Sequence, residues 1–220
     1  MVAAAALVVS SPAPTAAESN GGLRIMPLGD SITAGVNVPG GYRTSLWRRA
    51  AADHRKDDFV GSRFNGPIAL GDHDHEGHPG WRIDGIDARA AVWTRAARPR
   101  TVLLHIGTND MLRNHDVRRA PARLSTLIGR LTAAAPGADV FVSDLVPIGN
   151  RAAEARAKTF NAAVPGVVRK WVQRGRHVHF VAMHSALRRQ DLPDGVHPSA
   201  GGYAKMAARW YAKLRTGPWI

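Results

Sequence analysis

The chain has 220 residues, 45% of them hydrophobic, enough to bury one sizeable core in a single domain. It contains no cysteine, which excludes a disulfide framework, thiolate catalysis and cysteine metal ligation. The formal net charge of +13 comes mainly from arginines scattered along the chain, without zinc-finger spacing or a base-stacking aromatic ladder, so it points to nonspecific attraction of polyanions and to no specific nucleic-acid partner.

Residues 2–9 are small and apolar, and residues 10–17 turn polar with Thr15-Ala16-Ala17 suited to cleavage before Glu18. Residues 1–20 are therefore expected to be a signal-peptide remnant or a disordered segment, the chain to be secreted to the extracellular space, and residues 21–220 to form one domain. No run is long and apolar enough to cross a bilayer, so no integral membrane association is expected.

Residues 23–28 read as a short buried strand ending at Gly29. A helix begins soon after the Gly40-Gly41 turn, where Tyr42, Leu46, Trp47 and Ala50 recur at helical spacing. Residues 58–61 resemble a second short strand, and residues 62–80, rich in Gly, His and Asp and without periodicity, read as a loop. Residues 82–97 carry Ile83, Ile86, Ala90 and Trp93 on one helical face and stop before Pro99. Next come a strong strand over 101–106, a helix over 120–135 with Leu124, Leu127, Ile128 and Leu131 on one side, and a strand over 139–146. A helix from about 153 to 174 is expected to kink or divide at Pro165-Gly166. Residues 177–182 give the last strand and 200–214 the last helix. This alternation predicts right-handed crossovers and a largely parallel sheet covered on both faces, with ligands bound beyond the carboxyl ends of its strands.

Ser31, in Gly29-Asp30-Ser31, follows the opening strand and is a candidate nucleophile. Asp194 and His197, three apart in Asp194-Gly195-Val196-His197, offer an imidazole to take its proton and a carboxylate to orient that imidazole. Donors for a developing oxyanion are available at Ser31, Gly80 and Asn109. Each block alone has a plain structural reading: Asp30 or Ser31 as a helix cap, Asp194 as a turn residue, Asn109 as a loop brace. Asp30, His105 and Asp110 are candidate supporting groups, and Tyr42 and Trp81 candidates for the substrate cleft, whereas Trp47 is expected in the core. The run Asp72-His73-Asp74-His75-Glu76-Gly77-His78 matches no standard zinc spacing, so no metal and no cofactor are expected.

Taken in order, Gly29-Asp30-Ser31-Ile32-Thr33, Gly80, Gly107-Thr108-Asn109-Asp110 and Asp194-Gly195-Val196-His197-Pro198 resemble the four blocks of the SGNH, or GDSL-type, hydrolases. The resemblance implies a three-layer α/β/α, flavodoxin-like fold with a central, mostly parallel five-stranded sheet. It also implies Ser31 as nucleophile, His197 as base, Asp194 as its orienting carboxylate, and an oxyanion hole of Ser31, Gly80 and Asn109. Finer stretches, Met26 to Thr33, Glu76-Gly77-His78-Pro79-Gly80-Trp81-Arg82 and Gly202 to Ala207, are similar to carbohydrate esterase family three, the acetyl xylan esterases. One departure is Pro79, where relatives tend to carry serine. The implied activity is serine-dependent deacetylation of a plant polysaccharide such as acetylated xylan by a monomer. A broad short-chain esterase or a lipase or lysophospholipase acting on small acyl esters is the alternative.

Overall fold

The computed structural model describes residues 20–216, so the expectation for residues 1–20 lies, Asn20 apart, outside the described residues. In chain order the elements are β1 (Leu23–Gly29), α1 (Ser31–Ala34), α2 (Gly41–Ala52), β2 (Asp57–Phe59), β3 (Arg63–Phe64), β4 (Asp74–Gly77), α3 (Ile83–Ala97), β5 (Thr101–His105), α4 (Thr108–Leu112), α5 (Ala120–Ala134), β6 (Asp139–Ser143), α6 (Arg151–Val172), β7 (Val178–Val181) and α7 (Ala200–Leu214).

Strand β1 pairs in parallel with β5, β5 with β6, and β6 with β7. On its other side β1 pairs first with β2, at Leu23 to Ile25, and then with β4, at Leu28 and Gly29. Two short strands thus share one position beside β1, and β3 adds an antiparallel edge to β4. The sheet therefore has seven strands where five were expected.

Alternation along the strands sends side chains to two cores. Met26, Leu28, Val102, Leu104, Val140 and Val142 meet the apolar faces of α3, α5 and α6. Ile25, Leu103, Phe141 and Val181 meet Tyr42 and Leu46 of α2 and Tyr203, Met206 and Trp210 of α7. With helices on both faces of a mostly parallel sheet, the molecule has the expected three layers.

Three expectations for single elements change. The supposed loop 62–80 contains β3 and β4. The sequence Asp74-His75-Glu76-Gly77 has no apolar period, yet all four residues are buried because polar partners meet them: Glu76 accepts from the Ser62 amide (2.8 Å) and hydroxyl (2.7 Å), and His75 Nδ1 accepts from the Gly77 amide (2.9 Å). Strand β6 stops at Ser143, short of Val146, because Asp144 turns its carboxylate to the amides of Met183 and His184 while Leu145 gives its N–H and C=O to the Asn161 side chain. Helix α6 runs unbroken through Pro165. A proline there removes one hydrogen bond, to the carbonyl four residues back, while Phe160, Val164, Val167 and Val168 stay buried on both sides of it.

Candidate active site

The chain turns to one side of β1 for β2 and β4 and then crosses to the other side for β5. That reversal leaves a crevice at the carboxyl ends of β1 and β5, where open α/β sheets bind ligands. Ser31 follows β1 and Asn109 follows β5, so both stand at this point.

At Gly29 the strands approach so closely that a Cβ would meet the His105 carbonyl oxygen at 2.1 Å. Asp30 then caps α1, its Oδ1 accepting from the Ile32 amide at 3.0 Å. Ser31 is the first residue of α1, so its N–H has no helical carbonyl behind it to bond. Its Oγ lies 2.9 Å from His197 Nε2, across 166 positions of sequence.

His197 is held by the turn that carries it. Asp194 Oδ1 accepts from the amides of Val196 (2.9 Å) and His197 (2.7 Å), and Oδ2 lies 2.7 Å from His197 Nδ1. A carboxylate beside Nδ1 calls for the proton there, which leaves the Nε2 lone pair for the Ser31 hydroxyl. Burial alone would raise the Asp194 pKa, but the two amides, the His197 ring and its charge outweigh it and bring the carboxyl down to about 2. Asn37 Nδ2 is the fourth donor to this carboxylate and the second to Oδ2, at 3.0 Å. The whole turn is docked by the Gly149 amide on the Gly195 carbonyl (2.6 Å) and the Ser199 amide on the Asp191 carbonyl (2.7 Å).

On the other side of Ser31, residues 78–81 form a turn in which the Trp81 amide donates to the His78 carbonyl at 3.1 Å. Pro79 occupies its second position and Gly80, at φ +79°, its third, the arrangement of a type II turn. Proline is favoured at that second position, so Pro79 suits the turn, and the Gly80 N–H takes no part in closing it. Asn109, 9% exposed, donates one amide hydrogen to the Trp81 carbonyl at 2.9 Å, which ties the two donor-bearing segments together and leaves its second hydrogen for a ligand.

Beneath these groups lies a buried polar layer. Burial raises Asp30 to about 6, against the lowering pull of the Ile32 amide, the Thr108 hydroxyl and His197. Burial lowers His105 to about 4, and neither ring nitrogen has a partner. Asp110 accepts from the Ile83 amide (3.0 Å) and the Arg123 guanidinium (2.8 Å), so it fixes the start of α3. Tyr42 is wholly buried against Trp210, its hydroxyl 3.3 Å from Thr33 Oγ1. It supports α1 from behind and does not line a cleft. Trp81 is half-buried, stacked on His78 with Trp93 beyond.

In the 72–78 segment, Asp72 accepts from the Phe59 and Asp74 amides and Glu76 from His78, and among the described residues no group of three His, Asp or Glu side chains is arranged to hold a metal ion. Two residues near the site were not singled out from sequence. Asn37 sits at φ +68° in the loop after α1, with no local pattern to betray a partner 157 positions away. Arg113 brings a guanidinium nitrogen to 3.5 Å from where a Cβ on Gly80 would lie. Its spacing of four from Asn109, one helical turn, is the signal that would have found it.

Comparison with known proteins places the chain in a family and a fold. The model of the GDSL-like lipase/acylhydrolase family matches residues 28–205. A multidomain esterase of Ruminococcus flavefaciens is 29% identical over 94% of this chain, which spans 31% of that protein's length. Among solved structures, the family 3 carbohydrate esterase of Clostridium thermocellum superposes with a TM-score of 0.79 at 35% identity, over 89% of this chain and 99% of that one. A family 3 carbohydrate esterase from Talaromyces cellulolyticus gives 0.78 at 27% identity, over 88% and 96%.

Proposed function

The chain belongs to the GDSL-like lipase/acylhydrolase family, and from that premise we propose that it is a serine esterase that removes O-acetyl groups from a plant cell-wall polysaccharide such as acetylated xylan, through an acetyl-enzyme on Ser31. The observation that carries the reading is the relay Ser31 Oγ–His197 Nε2–Asp194, with contacts of 2.9 and 2.7 Å. The 35% identity to a family 3 carbohydrate esterase supports the polysaccharide as substrate.

In this scheme His197 Nε2 takes the Ser31 proton as Oγ attacks the ester carbonyl, and Asp194 stabilises the imidazolium that forms. The carbonyl oxygen, now negative, accepts from the amides of Ser31 and Gly80 and the free hydrogen of Asn109; each such donor contributes about 3 kcal/mol to the transition state. Collapse of the tetrahedral species expels the sugar oxygen, which takes the proton from His197. Water, deprotonated by the same nitrogen, then attacks the acetyl-enzyme and releases acetate. No step calls on a metal or a cofactor. Secretion, from the pattern at residues 15–17, and a monomeric state belong to the same proposal.

Ser31→Ala removes the nucleophile and is expected to lower turnover of acetylated xylan by roughly 10⁴-fold or more, with an unchanged circular dichroism spectrum. Full turnover in the purified variant would overturn the scheme. Running p-nitrophenyl acetate and octanoate beside the xylan tests the alternative, since a lipase would favour the longer chain.

A further inference from the structure

Between α1 and the β3–β4 hairpin lies a cavity of about 350 Å³, within the size range of small-molecule sites. Ala34, in its wall, closes α1 one helical turn, about 5 Å, beyond Ser31. Gly77 and Pro79, also in the wall, lead directly to Gly80. Two larger cavities lie against the outer faces of α5, α6 and β7, remote from these groups.

The wall is mainly polar: Arg63 brings a guanidinium to it, beside His75, Asn65 and Phe64. His75 is 2% exposed; its Nδ1 accepts from the Gly77 amide, so the neutral ring carries its proton on Nε2, where it has no partner. Burial, with the positive charges of Arg43 and Arg63, brings this ring down to about 2 and keeps it neutral at ordinary pH. Asn65 turns its side-chain oxygen to the Arg43 guanidinium, which leaves its NH₂ hydrogens unused. Phe64 is 54% exposed, the one aromatic among the large exposed hydrophobic residues described, and its ring is braced by stacking on His73 at 4.9 Å.

An aromatic face beside the Asn65 amide and the Arg63 guanidinium suits a ring with an apolar C–H face and acceptor oxygens around its edge. An acyl chain would leave the donors unpaired, at a cost. We propose that this cavity is a glycosyl subsite, which holds a pyranose of the polysaccharide next to the acetylated one, stacked on Phe64 and bonded by Asn65 and Arg63. The proposal rests on the polysaccharide reading above.

The test compares the wild type with Phe64→Ala on acetylated xylo-oligosaccharides and on p-nitrophenyl acetate, whose leaving group carries no neighbouring sugar. The ratio of kcat/KM between the two substrates is expected to fall about tenfold, through KM, and to be restored in Phe64→Trp. An unchanged ratio, or a fall in kcat shared by both substrates, overturns the subsite alone. A wild type active on p-nitrophenyl acetate but not on the oligosaccharides overturns the polysaccharide reading and the subsite with it.

Discussion

Asp30 and Asp194 show how two carboxylates near one serine are pushed in opposite directions. Asp194 is partly exposed and collects donors, so it stays ionised in all but strong acid. Asp30 is wholly buried, and burial holds its proton up to about pH 6. Between its ordinary value near 4 and this raised one, the folded state binds more protons than the unfolded, so the Asp30 contribution to stability declines as pH rises through that window. Asp30→Asn cannot lose a proton. The Tm of the variant relative to wild type is expected to climb between about pH 4 and 6 and then level off; parallel Tm curves across that range would count against the argument. The motif residues of the site were legible because a nucleophile, oxyanion donors, a carboxylate and a base fall in short blocks in a fixed order, each at the end of a strand or before a helix. Asn37 was not, since its contact joins distant segments, and Arg113 was passed over although it lies one helical turn from Asn109, just past the end of the five-residue α4. Tyr42 carried the right chemistry for a cleft, but its helical spacing with Leu46 and Ala50 had already put it on the buried face.

Among the elements, those with an apolar period were read almost to the residue: α7 matches its expectation, and α3 and α5 differ by one residue at an end. Strand β4 was missed because its burial is polar, satisfied residue by residue by partners no local pattern reveals. The loop after β6 is the same phenomenon on a buried helix face. Asn161 of α6 offers both ends of its amide to the N–H and C=O of Leu145, at 2.8 and 2.9 Å, and does there what a further ladder strand would have done. Asn161→Leu removes both partners and leaves a buried peptide group unsatisfied. The expected cost is about 2–4 kcal/mol, seen as a lower urea midpoint with an unchanged m-value.

For the molecule as a whole, the sequence's alternation of strands and helices foretold the layers, while the sharing of one sheet position by β2 and β4 depended on a register that only the assembled sheet defines. The site likewise belongs to the assembly, since it joins residues near either limit of the described chain. Loss of p-nitrophenyl acetate turnover in urea is therefore expected to coincide with loss of helical circular dichroism; activity that disappears well before the helices melt would mean that the His197 turn opens on its own. The contact between Ser31 and His197 also has a consequence for synthesis. A polypeptide grown only as far as β7 already carries its hydroxyl, shaped and capped, yet lacks the group that would make it reactive. Chemical competence arrives only once the segment that carries His197 has been made, and a chain stopped short of it lacks the base that activates Ser31.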